Sequence, residues 1–312
     1  MAKKVATREA YGEALKILAE KNENVVVLDA DLSKSTKTAK FKEVCPQKFV
    51  NVGIAEQGLM GTAAGLAAAG MIPFASSFAI FATGRAYEII RNSIAYPKMN
   101  VKIAATHAGL TVGEDGASHQ ALEDISLMRT LPNMTVINPA DAVEAKEAVL
   151  KAAEYNGPVY IRLGRSKVPV IYNEDDFDFE IGKAKILKDG SDATVIATGI
   201  MVNAALKAAE ILKKESINIR VIDMHTIKPI DEKVIIDAAK ETGAIVTAEE
   251  HNKIGGLGSA VSEVLVENCP VPMIRIAVND TFGESGNGDE LLVKYGLTAE
   301  NIVEKVKCIK GI

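Results

Sequence analysis

Short β-branched apolar runs alternate with helically spaced apolar residues along nearly the whole chain. Near the start, Thr7 reads as an N-cap, after which Ala10, Tyr11, Ala14, Leu15 and Leu18 recur at helical intervals. The run Val25-Val26-Val27-Leu28 then has no polar alternation, which fits a strand covered on both faces. Further strands are expected at 49–52, 72–75, 101–105, 135–137 and 159–163, with helices between them at 55–69, 84–94, 122–130 and 142–155. Such alternation predicts an α/β fold, a mostly parallel sheet with helices on both faces.

From 166 to 192 the pattern lapses into a Pro-containing, acidic stretch with Asn173-Glu174-Asp175-Asp176, which reads as a linker. Strand patterns resume at 194–198, 219–222, 244–248 and 273–277, separated by helical spacings. The expected architecture is two doubly wound domains, residues 1–184 (linker included) and residues 185–312.

Composition narrows the picture. A chain of 312 residues, 48% apolar, suits two domains with sizeable cores. The net charge of −5 comes from mixed signs without a Lys/Arg block, so neither a nucleic-acid nor a membrane-surface partner is expected. Cys45, Cys269 and Cys308 are odd in number and far apart, matching neither a disulfide framework nor a metal spacing. The start Met1-Ala2-Lys3-Lys4-Val5-Ala6 lacks the apolar core of a signal peptide. The most apolar tract, 58–82, is interrupted by Pro73, Ser76 and Ser77 and reads as a helix–strand pair rather than a membrane span. The expected location is cytoplasmic.

Ligands of open α/β sheets bind beyond the carboxyl ends of the strands. Asp29 and Asp31, the turn from Gly53 to Glu56, the stretch from Ser76 to Phe81, His107 and Arg165 all fall there. Glu56 follows a glycine turn into a small-residue helix. It reads either as a carboxylate in the first helical turn or as one set among Ile54, Leu59 and Met60, where burial raises its pKa and lets it share a proton with a ring nitrogen. The loop from Thr106 to Gln120 contains His107 and His119, two carboxylates and three glycines. With no third His and no close His/Cys pair, a metal site is not expected there. Phe78 and Phe81 are either core or stacking partners for a flat heteroaromatic ring. Arg8, Ser35 and Arg165 lie at ends of expected elements, where guanidinium and hydroxyl groups suit phosphate oxygens.

Together, Ala6-Thr7-Arg8, Asp29-Ala30-Asp31-Leu32-Ser33-Lys34-Ser35, Gly53-Ile54-Ala55-Glu56-Gln57, Ser77-Phe78 through Phe81, Thr106-His107, Gly113-Glu114-Asp115-Gly116-Ala117-Ser118-His119-Gln120 and Gly164-Arg165 resemble the transketolase family, in family order. Farther on, Asp223-Met224-His225-Thr226-Ile227-Lys228-Pro229 and Glu249-Glu250-His251-Asn252 resemble its C-terminal domain. The resemblance implies a pyrimidine-binding domain followed by that C-terminal domain, and ketol transfer between sugar phosphates of the pentose phosphate pathway with thiamine diphosphate. By the same resemblance Glu56 contacts the aminopyrimidine ring and Phe81, with Phe78 nearby, stacks on it. Asp31 joins the cofactor-binding set. His119 lies beside the reacting carbonyl, Asp115 accepts from a substrate hydroxyl, and Arg8, Ser35, His107 and Arg165 hold the terminal phosphate.

Two departures accompany it. Gly84 stands where the family often has a second large aromatic, and no Gly-Asp-Gly occurs to bind the diphosphate with its Mg²⁺ or Ca²⁺. The resemblance therefore implies a partner, an N-terminal subunit carrying most of the diphosphate and metal site, with two copies of each subunit. A single-chain transketolase is roughly twice this length, and this chain begins where its second half would. Rival readings are the beta subunit of a 2-oxo-acid dehydrogenase, a deoxyxylulose-phosphate synthase-like half, and a non-catalytic paralogue.

Overall fold

The computed structural model describes residues 3–312. In the first domain the elements run β1 (Lys4–Ala6), α1 (Thr7–Lys21), β2 (Val25–Asp29), α2 (Ser33–Thr36), α3 (Ala39–Val44), β3 (Phe49–Asn51), α4 (Glu56–Ala68) and β4 (Ile72–Ser76). They continue as α5 (Tyr87–Ile89), β5 (Lys102–Ala105), α6 (Asp124–Thr130), β6 (Thr135–Ile137), α7 (Ala142–Glu154), β7 (Val159–Arg162) and β8 (Lys167–Pro169). In the second follow β9 (Lys185–Lys188), β10 (Ala193–Ala197), α8 (Met201–Lys214), β11 (Ile219–Asp223), β12 (Thr226–Lys228), α9 (Glu232–Thr242), β13 (Ile245–Asn252), α10 (Leu257–Asn268), β14 (Met273–Val278), α11 (Gly288–Lys294) and α12 (Ala299–Lys310).

The first sheet has the order β12-β6-β7-β5-β4-β2-β3, parallel except for β12. The second has the order β14-β13-β10-β11-β9, parallel except for β9. The unbroken run in β2 divides by parity. Val25 and Val27 enter one core with Tyr11, Leu15 and Val149, and Val26 and Leu28 enter another with Leu59, Met60 and Ile90. Successive side chains on a strand point to opposite faces, so a run apolar at every position needs a helical layer on each side. The chain passes from β2 to β3 on one side and then back to β4 on the other. The resulting topological switch point opens a crevice between their carboxyl ends, at Asp29 and Ser76.

Four local readings change. Thr7 is the first helical residue rather than the cap; its hydroxyl instead accepts the Gly164 N–H at 2.8 Å. The helix expected at 84–94 is two π-helical stretches, Phe81–Arg85 and Ile90–Ala95, around the short α5. The linker is partly structured: β8 pairs with β1, β9 edges the second sheet, and Phe177 and Phe179 pack among Tyr172 and His225. β12 also crosses over to pair antiparallel with β6, so the second half of the chain extends the first sheet.

The seam between the two halves is polar and buried. Arg162 Nε donates to Asp124 Oδ2 at 2.8 Å, Tyr160 OH donates to the same oxygen at 2.6 Å, and the other end of the guanidinium donates to the Ala121 and Glu250 carbonyls. A buried charge pair is stable only when its remaining polar atoms also find partners, and here most of the donors do. Among the described residues no helix is long and apolar enough to cross a membrane.

Candidate functional site

At the crevice, β2 ends in Asp29, whose carboxylate accepts from the Leu32 N–H and from the Thr36 and Thr38 hydroxyls. These bonds fold the following turn back over the strand end and bring Ser35 towards α1. Arg8 Nη1, from the first turn of α1, donates to the Ser35 carbonyl at 2.9 Å and lies 3.1 Å from His107 Nε2. Ser35 thus meets Arg8 through its backbone; its hydroxyl makes no hydrogen bond with the described residues. His107 follows β5 in a left-handed conformation (φ 59°), a strained choice for a residue with a side chain, and its Nδ1 lies 2.8 Å from Thr106 Oγ1. Burial pushes its pKa down to about 3, and Arg8 and Arg165 add to that. The ring is therefore neutral.

His107 stacks on Phe78 at 3.8 Å between centroids. Phe78 lies 6.1 Å from Phe81, and the His119 ring stands edge-on to Phe81 at 5.3 Å. The four rings thus form a partly open aromatic wall. His119 Nδ1 lies 2.9 Å from Ser118 Oγ, which orients the imidazole from one side. At the other end of the wall Glu56 opens α4. Its side chain is only 3% exposed, and Arg85 Nη1 meets Oε2 at 3.0 Å while the same guanidinium lies over the Phe81 ring. The expected apolar setting holds for Leu59 and Met60 but not for Ile54, which is 80% exposed. Sequence reasoning missed Arg85. The π-helical winding of 81–85 brings it to Glu56, and Gly84 in the usual aromatic position was the available signal.

Arg165, just past β7, donates to the Val112 carbonyl and to Glu114 Oε2, with Asp115 Oδ2 at 4.0 Å. Glu114 thereby acquires a role that the sequence left open. Arg8 and Arg165 face one open cavity of about 410 Å³, lined also by Lys4, Lys167, Asn287 and Asp289. Arg8 Nε is buried there without a partner among the described residues. Burial lowers the Arg8 pKa; Arg165 lowers it further, and Glu9 opposes both. Two guanidiniums facing one cavity suit a multiply charged anion. Asp31 stands apart: exposed, with φ 66°, it exchanges two hydrogen bonds with Asn51 at the ends of β2 and β3. The other candidates form one chain of contacts, from Glu56 through Arg85, Phe81, His119, Phe78 and His107 to Arg8, with Arg165 and Glu114 across the cavity and Asp115 beside Arg165.

A buried carboxylate beside a partly exposed aromatic ring suits the aminopyrimidine end of thiamine diphosphate: the other Glu56 oxygen accepts nothing from the described residues, and Phe81 is partly exposed. Among the described residues, no three His, Cys, Asp or Glu side chains come together to hold a metal ion.

Residues 3–170 match the family model for the transketolase pyrimidine binding domain, and residues 182–302 match that for the transketolase C-terminal domain. A candidate transketolase C-terminal section of Methanocaldococcus jannaschii is 56% identical over 96% of this chain and 94% of its own length. Transketolase of Homo sapiens is 41% identical over 97% of this chain, which spans 49% of the human protein. A solved split gene transketolase, an inactive beta4 tetramer, superposes with a TM-score of 0.93 at 58% identity, covering 98% of this chain and 99% of that one. With the Gly-Glu-Asp-Gly loop, the buried Glu56 and the two domains in family order, the chain belongs to the transketolase family.

Proposed function

We propose that the chain is the C-terminal subunit of a thiamine-diphosphate-dependent transketolase that moves a two-carbon ketol unit between ketose and aldose phosphates of the pentose phosphate pathway in the cytoplasm. Its partner is an N-terminal subunit that binds most of the diphosphate and its Mg²⁺ or Ca²⁺, in an assembly with two copies of each. The observation that carries this reading is the contact chain from Glu56 to Arg8 along one sheet edge. It sets a ring-binding carboxylate at one end and a dibasic cavity at the other. Bound across the subunits, thiamine diphosphate supplies the electron sink for breaking and forming the carbon–carbon bond.

The residues of this chain do the rest. Glu56 hydrogen-bonds the pyrimidine ring after Arg85 gives way, and Phe81 and Phe78 fix the plane of that ring. His119, held through Nδ1, points Nε2 at the reacting carbonyl and hydroxyl groups. Asp115 accepts from a substrate hydroxyl, and Asp31 remains in the proposed cofactor set at the rim. Arg8, Ser35, His107 and Arg165 hold the terminal phosphate, His107 as a neutral partner. The half-length match to human transketolase and the inactive beta4 state of the split relative both favour a chain that is inactive alone. The division at residues 184 and 185 is part of the same proposal.

The test is to titrate the pure chain with thiamine diphosphate and Mg²⁺ by calorimetry, then repeat with an N-terminal subunit added. Weak binding alone, followed by saturable binding and ketol transfer on mixing, is expected. Tight binding and full activity of the chain alone would overturn the split-enzyme reading.

A further inference from the structure

The segment 282–288 of the second domain lies along the loop 109–120 so closely that a side chain at several of the glycines would crowd the facing segment. A Cβ on Gly113 would stand 3.3 Å from the Gly286 carbonyl, one on Gly116 3.4 Å from the Ser285 nitrogen, and one on Gly288 3.3 Å from Thr111 Cα. Gly113 and Gly116 have positive φ, so they serve both turn and approach. Two side-chain bonds tie the segments together. Gln120 is buried and its amide donates to the Leu110, Gly113 and Glu284 carbonyls at 3.1, 3.4 and 2.9 Å. Ser285 Oγ donates to the Glu114 carbonyl at 2.6 Å. On its outer side the strap is held by Tyr295, whose hydroxyl donates to the Phe282 carbonyl and to Glu284.

These bonds lead to the cavity. The Glu114 backbone is held by Ser285, while its side chain aligns Arg165; Asn287 within the strap and Asp289 just beyond it form part of the same wall. We propose that the strap 282–288 is a working part of the phosphate site, with Gln120 and Ser285 as positioning residues that set Glu114 and, through it, Arg165. This rests on the transketolase reading and adds a task for the C-terminal domain. A displaced strap lets Glu114 and Arg165 drift, so binding of the phosphorylated end weakens while chemistry at His119 and Glu56 continues.

Two substitutions test it from the second domain, away from the reacting groups. Gly283→Ala places a Cβ 1.9 Å from Gln120 Oε1 and pushes the clamp aside; Ser285→Ala removes the bond to Glu114. Each variant is mixed with the N-terminal subunit, and KM and kcat are measured with ribose 5-phosphate and with ribose as acceptors. The expected result is a rise of about five- to tenfold in KM for ribose 5-phosphate, as for loss of one charge-assisted contact, with kcat within about twofold and KM for ribose unchanged. Ser285→Thr, which keeps the hydroxyl, should restore the wild-type ratio. An unchanged ratio of the two KM values in both variants overturns the proposal, including the case where both constants move together as in general loosening. A wild-type complex without ketol transfer would instead overturn the functional reading, and the two failures are told apart by the wild-type assay.

Discussion

Glu250 lies at the seam beneath the loop 109–120, and its protonation should be readable in stability. Its Oε1 accepts the Thr111 N–H at 2.6 Å, and both oxygens lie 2.5 Å from where a Cβ on Gly109 would be. Burial pushes its pKa from 4.5 up to about 7, against the opposing pull of Arg162 and the Thr111 bond. An acid whose pKa is raised on folding binds a proton in the folded state before it does in the unfolded one. Its contribution is therefore whole below about 4.5, is lost progressively as pH rises towards 7, and is constant above that. At roughly 1.4 kcal/mol per pH unit, the loss over that window is about 3 kcal/mol. Glu250→Gln keeps an acceptor for Thr111 and cannot ionise. It should match the wild type at pH 5 and exceed it by about 2–3 kcal/mol at pH 8. Urea unfolding of both proteins by circular dichroism at pH 5, 6, 7 and 8 measures the difference. Parallel pH dependences would refute the reasoning. So would a variant less stable than the wild type throughout, since that result would mean that Arg162 keeps Glu250 ionised.

In the reconstituted complex, Arg165→Ala should raise KM for a phosphorylated donor by about ten- to a hundredfold with kcat nearly unchanged, because one guanidinium leaves the cavity. An equal loss with an unphosphorylated donor would place Arg165 elsewhere in the mechanism. His107, pushed down to about 3 by burial and then by Arg8, should remain neutral to pH 5 in a histidine NMR titration. Because its folded pKa lies below the ordinary 6.5, it costs stability as pH falls from there, and a midpoint near 6.5 would contradict the buried placement. Asp124→Asn leaves the Arg162 guanidinium buried without its salt-bridge partner and should cost about 3–5 kcal/mol in chemical denaturation. A cost below about 1 kcal/mol would show that Glu250 replaces Asp124.

The sheet was legible because its signal is local. A strand covered on both faces must be apolar at consecutive positions, and β2, β5 and β10 announce themselves that way. The elements that were missed lack such a code. β1 and β8 are three residues each, and they pair with one another at an edge where mixed side chains suffice. β12 looks like a loop beside a proline, and only the neighbouring β6 makes it a strand. The acidic stretch near 173–176 suggested a linker, but Phe177 and Phe179 anchor its continuation, and single aromatics carry no periodicity.

The candidate site divides in a similar way. Glu56, His107 and Arg165 stood out because they fall beyond strand ends, where ligands of open α/β sheets bind, and His119 because it shares a glycine- and carboxylate-bearing loop with His107. Arg85 did not, since its meaning depends on a π-helical winding that moves it to the far side of Phe81. The strap was equally hidden: Gly283, Gly286 and Gly288 read as a flexible turn until Gly286 is seen facing Gly113, and Gly283 and Gly288 facing Gln120 and Thr111, from well over a hundred positions away. Glycine spacing along a chain reports turns, whereas glycine facing glycine across a domain seam reports close backbone approach, and only the fold distinguishes the two. That approach also explains why Glu114, rather than its neighbour Asp115, hydrogen-bonds Arg165. With the Glu114 carbonyl fixed by Ser285 and its carboxylate on Arg165, the Asp115 carboxylate is left at 4.0 Å from the guanidinium, too far for a hydrogen bond to it.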